Sequence, residues 1–171
     1  MRFFVSGAMV FVGPIILTMT MTAERTSEHE NPAPAWLQAV DHTADRGIIV
    51  QASDMKELFA RAAWGMFSII TDMESVNPAH SEKMVVTAPD RQALLVRWLS
   101  ELNFQHATRH LLYSRFHILN LSDQQLEAEV DGEGIASERH TIHTEIKAVT
   151  FHALKLEPEK TGWRAEIIFD L

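Results

Sequence analysis

Apolar residues recur along this chain with two periods, one typical of helices and one typical of strands. Between residues 55 and 70 they follow the i, i+3, i+4, i+7 spacing of an amphipathic helix, and Ser53 is the expected N-cap. A second stripe around Trp98 predicts a helix from about residue 89 to about residue 108. Each helix has one apolar face, so each is expected to pack against a sheet.

Short β-branched or alternating segments predict strands before, between and after the helices. These segments are 36–40, 48–50, 84–86, 116–120, 126–130, 142–156 and 163–169. The polar residues 41–47 predict a loop, and the acidic, glycine-bearing residues 131–134 predict the end of a strand. Because the strands come mostly in runs, we predict an α+β fold in which two amphipathic helices pack on a largely antiparallel β-sheet. The last strand is expected to pair with residues 142–156.

Residues 1–34 are predicted to precede the folded domain, which we place at residues 35–171. The segment Phe3–Leu17 is apolar but interrupted by glycine and proline, and a polar, proline-bearing stretch follows it. A transmembrane helix needs about 20 apolar residues, so two interpretations are left. Either the start is assigned too early and translation begins near Met19 or Met21, or the segment is a weak signal peptide or short anchor. We expect the first, with a cytoplasmic protein and no membrane association; N-terminal sequencing of native protein distinguishes the two.

Composition limits the chemistry and the partners. The 171 residues include no cysteine, which excludes a disulfide framework, a thiolate zinc site, an iron–sulfur cluster and a thiol nucleophile. The formal net charge of −8 opposes sequence-independent binding to RNA, which requires a basic surface. An acidic protein can still dock onto a basic enzyme, although mild acidity also simply maintains solubility.

Two aspartates and the last residue are candidate ligands of a cation. Asp45 lies in the predicted polar loop, Asp170 directly follows the last predicted strand, and Leu171 adds a terminal carboxylate. If the loop meets the end of that strand, the oxygen donors converge, and a hard cation such as calcium, magnesium or manganese would relieve their repulsion. Spacing alone equally describes two solvated aspartates at strand ends.

Histidines and one lysine are further candidates. A histidine metal site can be drawn from His42, His140, His143 and His152. Residues three apart on a strand face opposite sides, so surface or hydrogen-bonded histidines are the simpler interpretation. Lys147 lies within an apolar predicted strand, where its ammonium group either occupies the polar face of the sheet or is presented to a partner's carboxylate or phosphate.

Four segments together resemble the signatures of archeases. Residues 41–48 read DHTADRGI, and residues 98–102 read WLSEL. Residues 144–152 read TEIKAVTFH, and residues 162–171 read GWRAEIIFDL. These segments stand in the family's order, and the resemblance extends over about residues 36–171.

The resemblance implies a function and a set of site residues. Archeases assist RtcB-type RNA ligases in tRNA splicing and RNA repair by promoting guanylylation and repeated turnover of the ligase. Family members bind a divalent cation, often calcium, through residues that match Asp45, Asp170 and Leu171, so for this chain we expect calcium first and magnesium or manganese as alternatives. The lysine that matches Lys147 is also functionally important in the family. The resemblance therefore implies a metal-binding accessory protein that is not itself an enzyme and meets RNA only through the ligase.

The sequence departs from the family pattern at two places. Residues 134–140 lack the proline and aspartate that are common there, so no role is assigned to them. Arg46 stands where a small or aliphatic residue is usual, and its positive charge is expected to weaken cation binding.

Two other functions are considered. A stand-alone metal-dependent phosphoester hydrolase, with its cation at Asp45 and Asp170, is the alternative, although no positioned general base or phosphate-binding loop is recognisable. An adaptor or chaperone with no metal role is a third class.

Overall fold

The computed structural model describes residues 33–41 and 45–171, with the side chains of Asp41 and Asp45 left aside. The predicted N-terminal extension, apart from its last two residues, and His42 lie outside the described residues. Within them the elements are β1 (Leu37–Asp41), β2 (Asp45–Ala52), α1 (Met55–Ile70), β3 (His80–Thr87), α2 (Arg91–Arg109), β4 (Leu111–Leu121), β5 (Gln125–Gly134), β6 (Ala148–Val149), β7 (Lys155–Glu159) and β8 (Gly162–Asp170). A short 3-10 helix, Met73–Ser75, follows α1.

Both predicted helices are present, and the N-cap of the first differs by one residue from the prediction. The carboxylate of Asp54, rather than the hydroxyl of Ser53, accepts the amide hydrogen bond of Glu57 at 2.9 Å. The main-chain amide and the hydroxyl of Ser53 instead donate to the carboxylate of Glu57, at 2.8 and 2.7 Å. The bond to Asp54 satisfies an amide that the first helical turn leaves without a partner, and the bonds to Glu57 tie the residue before the cap to the helix.

All strand pairs are antiparallel, which confirms the predicted α+β fold, but the described strands form two sheets. One sheet has the order β1-β2-β8-β6, with β7 also paired to β8, and the other has the order β3-β5-β4. Helix α1 contacts β2 and β8 of the first sheet and β4 of the second. Helix α2 contacts β3, β4 and β5 and reaches β6. The helices therefore join the two sheets around one core.

The core consists of apolar side chains from both helices and both sheets. The largest that are fully buried are Trp98, Phe59, Phe67, Phe169, Ile48, Leu58, Met66, Ile70, Leu94, Leu95, Leu99 and Leu102. Burying a side chain of this size stabilises the fold by about 1.5–3 kcal/mol relative to leaving it exposed. No helix among the described residues combines the length and the apolarity that crossing a membrane requires.

Two predicted loop or strand-end segments are instead parts of long strands, so those predictions were wrong. Residues 45–47 belong to β2, and residues 131–134 continue β5 to its pairing with Leu111. Gly132 does not break its strand, because it sits where β4 passes very close: a Cβ there would lie 1.9 Å from the main-chain oxygen of Leu112. Polar composition misled the prediction at both places, since strand pairing satisfies the backbone whatever the side chains are.

The segment 142–156, predicted as strand-like, pairs with β8 at two separate places. Val149 is opposite Phe169, and Lys155 is opposite Glu166, so the intervening residues 150–154 face only two residues of β8. The surplus chain leaves the sheet as a turn, with Ala153 in the left-handed region at φ 52°. The predicted pairing with the last strand is therefore confirmed for β6 and the start of β7 only.

Candidate metal centre

Strand β8 carries one predicted site residue to a fixed position. Ala165, Ile167 and Phe169 are fully buried in the core, and the next residue along the strand, Asp170, is exposed. Because successive strand residues point to opposite faces, Asp170 lies on the face opposite these core residues. An aspartate that directly follows three such anchors is held in position by the core, unlike one on a frayed terminus.

The outer face of β2 and β8 is shaped by one glycine. Gly47 is opposite Ile168, and a Cβ at Gly47 would lie 2.6 Å from the Cδ1 atom of Ile168. The missing side chain lets Ile168 lie over β2, where Ile168 is only 4% exposed. Two residues further along both strands, Asp45 and Asp170 are directly opposite each other in the register.

Asp170 is flanked on its other side by β6. Ala148 is opposite Asp170, and the main-chain amide of Lys147 donates a 2.9 Å hydrogen bond to the main-chain oxygen of Asp170. The ammonium group of Lys147 donates to the main-chain oxygen of Leu171. The structure therefore brings Lys147, Asp170 and Leu171 into direct contact and places the backbone of Asp45 beside them.

The histidine metal site that could be drawn from the sequence is not assembled by the histidines that the structure describes. His140 is buried, and its Nδ1 atom accepts the amide hydrogen bond of Ala136 at 2.9 Å. In the neutral ring the proton is then on Nε2, which lies 3.1 Å from the main-chain oxygen of Ser75 and 3.2 Å from a carboxylate oxygen of Glu133. His143 and His152 are exposed. His140 is thus a hydrogen-bonded structural residue, which was the simpler of the two interpretations.

Glu133 is the charged centre of this second cluster and was not singled out by its sequence context. Its two carboxylate oxygens accept 2.9 and 2.7 Å hydrogen bonds from the guanidinium of Arg139, and one also accepts from the main-chain amide of Asn77 at 2.6 Å. The bonds from Arg139, more than any other interaction, lower the pKa of Glu133 from 4.5 to about 2, although burial alone would raise it. The cluster fastens the chain just after β5 to the loop after the 3-10 helix.

The chemistry of the donors at the end of β8 fits a hard cation better than a softer metal that prefers thiolate ligands. The residues there offer a carboxylate and main-chain oxygens and no thiolate, and calcium, magnesium and manganese prefer such ligands. Among the side chains that the structure describes, no three histidines, aspartates or glutamates converge as ligands of a metal would. The ammonium group of Lys147 donates a hydrogen bond to the Leu171 oxygen, so a cation that binds this oxygen would have to displace the ammonium group.

A family model matches most of the chain. Residues 38–171 match the model of the Archease protein family. An archease from Methanosarcina acetivorans is 33% identical over 136 residues, which covers 77% of this chain and 93% of the relative. An archease from Methanothermobacter thermautotrophicus is 37% identical over 134 residues, with coverage of 77% and 95%.

Two solved structures are similar to this fold. The solution structure of Methanobacterium thermoautotrophicum protein 1598 has a TM-score of 0.67 and 34% identity, and covers 80% of this chain and 99% of its own. The crystal structure of an archease from Thermotoga maritima, described as a possible chaperone, has a TM-score of 0.53 and covers 78% and 96%. Its identity of 16% supports the fold alone.

Proposed function

Because the chain belongs to the archease family, we propose that it acts as an accessory protein of an RtcB-type RNA ligase. In this role it promotes guanylylation and repeated turnover of the ligase in tRNA splicing or RNA repair, in the cytoplasm. The observation that supports the proposal is the cluster of exposed Lys147, exposed Asp170 and half-buried Leu171 at the end of β8, on segments that carry the family signatures.

The charge of the protein suits a protein partner better than RNA. A net charge of −8 repels a phosphate backbone, whereas it favours association with a basic enzyme surface. We therefore propose that RNA is met only through the ligase. The ammonium group of Lys147, exposed beside Asp170, is the group that we propose contacts the ligase.

A reconstituted ligase tests this function. Adding the wild-type protein to a purified RtcB-type ligase should convert single-turnover RNA joining into multiple turnover. The Lys147→Ala variant should lose most of this activation. The Lys155→Ala variant, which removes a lysine of β7 that pairs with Glu166 at 3.0 Å, is the matched control and should retain it. Equal activation by both variants would exclude the role of Lys147, and no activation by wild type would exclude the function.

We further propose that Asp45, Asp170 and Leu171 bind one divalent cation, calcium in the first place and magnesium or manganese as alternatives. Opposing residues of antiparallel strands have Cβ atoms about 5 Å apart, close enough for two carboxylates to share an ion. Calcium takes about six to eight oxygen ligands, so three protein groups leave coordination positions for water or a group of the partner. The cation, when bound, neutralises the carboxylates; this chain's residues hold it and present Lys147 beside it.

Calorimetric titration of calcium and manganese into chelator-stripped protein tests the cation site. Wild type should bind one ion, and the Asp45→Asn, Asp170→Asn double variant should not. Lys147→Ala should bind at least as tightly as wild type, because it removes a competing positive charge from the Leu171 oxygen. A hundredfold excess of ion over its dissociation constant should raise the free energy of unfolding of wild type by about 2.7 kcal/mol. Equal binding by wild type and the double variant would refute the site.

The alternative is a stand-alone metal-dependent phosphoester hydrolase that uses the same carboxylates. The observation in its favour is the pairing of Asp45 with Asp170, since a cation there could activate water. Incubating the purified protein alone with phosphoesters distinguishes the functions. Hydrolysis that the Asp45→Asn, Asp170→Asn double variant loses would favour the enzyme, and no hydrolysis beside full ligase activation would favour the accessory role.

A further inference from the structure

Helix α2 carries a buried polar side chain that reaches the segment before Lys147. Asn103 is 8% exposed, and its Nδ2 atom donates a 2.8 Å hydrogen bond to the main-chain oxygen of Ile146. Ile146 itself is 5% exposed and belongs to the core. The bond therefore joins helix α2 to the residue that immediately precedes Lys147.

The bond acts where sheet pairing does not. Residues 143–147 belong to no strand, and β6 begins only at Ala148. From Lys147 onward the chain is held by the bond of its own amide to Asp170 and by the pairing of β6 with β8. The bond from Asn103 holds the carbonyl side of the same Ile146–Lys147 peptide group, and so it helps to set the direction in which the chain enters β6 and from which Lys147 is presented.

The other polar atom of Asn103 makes no comparable bond. The buried Oδ1 atom has no hydrogen-bond partner among the described residues. A buried amide with an unsatisfied acceptor is costlier than an apolar residue of the same size, which would fill the same space. Packing alone would therefore favour leucine at this place, whereas holding the Ile146 oxygen needs the amide.

We propose that Asn103 is a positioning residue that presents Lys147 to the partner, an inference that rests on the proposed function for the role of Lys147. Asn103 touches neither Lys147 nor Asp170 by a side-chain hydrogen bond; it acts through the main chain of Ile146. The pairing of β2 with β8, which brings Asp45 and Asp170 together, does not depend on this bond. Cation binding is therefore expected to tolerate the loss of Asn103, and the presentation of Lys147 is not.

The test compares two buried hydrogen bonds of the same helix. Asn103→Leu removes the donor to Ile146, and Trp98→Phe removes the donor of the 3.2 Å bond from Trp98 Nε1 to the main-chain oxygen of Phe59 in α1. Hydrogen exchange at the Lys147 amide is followed by NMR relative to amides of β5, and calcium affinity and ligase activation are measured on the same samples. If Asn103→Leu does not fold, Asn103→Ala takes its place.

The positioning role predicts a local effect. In Asn103→Leu the Lys147 amide should exchange about tenfold faster relative to β5, which matches the loss of one hydrogen bond. Ligase activation should fall while calcium affinity stays within about twofold of wild type. Trp98→Phe should change none of the three readouts beyond the effect of its lower stability. An unchanged exchange ratio in Asn103→Leu, or an equal change in Trp98→Phe, would overturn the proposal even if wild type failed to activate the ligase; that failure would refute the proposed function separately.

Discussion

The three-stranded sheet and residues 135–147, which connect it to β6, are held by different kinds of interaction. In the sheet, continuous pairing of β3, β4 and β5 is combined with a buried apolar face that includes Leu126, Ala128 and Val130. The connection has no continuous pairing and is fastened at separate points by single polar contacts and by the buried side chain of Ile146. The first arrangement distributes the free energy of folding over many contacts, and the second concentrates it in a few.

The attachment points of the connection follow one another along the chain. Arg139 and His140 bind Glu133, and the hydroxyl of Thr71 donates to the main-chain oxygen of Thr141 at 2.8 Å. The amide of His143 then donates to the main-chain oxygen of Ile70, also at 2.8 Å. The bond of Asn103 to Ile146 is the last before the candidate site. Loss of one point should loosen a local segment, whereas truncation of the sheet's core should destabilise the whole fold.

The largest expected loss of stability comes from truncating a core side chain of the three-stranded sheet. Leu126→Ala in β5 removes a side chain that is 0% exposed and should lower the free energy of unfolding by about 2–5 kcal/mol. Val85→Ala on β3, where the side chain is 60% exposed, is the control and should change it by less than about 0.5 kcal/mol. Urea unfolding monitored by circular dichroism measures both. Similar losses for the two variants would mean that the buried apolar face of the sheet does not carry a large share of the folding free energy.

An intermediate effect is expected at the first attachment point. Glu133→Gln removes the charge that Arg139 binds and should lower the free energy of unfolding by about 1–2 kcal/mol at pH 7, because the half-exposed guanidinium limits the gain. The pKa of Glu133 is lowered from 4.5 to about 2 in the folded protein, so the ionised carboxylate stabilises the fold above pH 4.5. That contribution is lost as the pH falls from 4.5 towards 2.

Unfolding of wild type and Glu133→Gln at several pH values checks this sign. The difference between the two should be largest near neutral pH and should shrink through the window from pH 4.5 to about 2. Arg139→Gln should reproduce most of the loss and its pH dependence, since its bonds are the main cause of the lowered pKa. A difference that stays constant or grows on acidification would contradict the assignment.

The smallest effect on stability, with a large effect on function, is expected at the end of the connection. Lys147→Ala removes an exposed side chain and should change the free energy of unfolding by no more than about 0.5 kcal/mol. Thermal unfolding of this variant, measured beside its ligase activation, separates the two roles. A large loss of thermal stability would make Lys147 a structural residue and would remove the basis of its proposed contact with the ligase.

The sequence predicted the elements whose apolar residues are periodic and failed where single contacts decide. Helix α1 and strand β8 follow from their stripes, because burial of one face dominates their stability. The continuation of β5 past Gly132 was missed, because it depends on a close approach of β4 that no local pattern encodes. The turn at residues 150–154 was missed for a similar reason. It arises because five residues connect two strands, β6 and β7, whose pairing with β8 leaves only two β8 residues between them.

The sequence selected the residues of the candidate site, but it did not indicate the residues that hold the neighbouring chain in place. Resemblance to the archease family selected Asp45, Asp170, Leu171 and Lys147, whereas spacing alone left the aspartates open. Asn103 could have been noticed, since it stands four residues after Leu99 on the apolar stripe of α2, where a polar side chain is unexpected. Glu133 had no comparable signal, because Arg139 and His140 reach it from an irregular segment just after β5 and Asn77 reaches it from a loop that is distant in sequence.

The most direct test of the account is the cation dependence of ligase activation. Chelator-stripped wild type should activate guanylylation of the ligase only after calcium or manganese is added back, and the Asp45→Asn, Asp170→Asn double variant should stay inactive at any cation concentration that the ligase tolerates. Glu127→Gln, Glu129→Gln removes the same charge from the other sheet and should behave as wild type does. Full activation by the double variant, or by stripped wild type without added cation, would contradict the account.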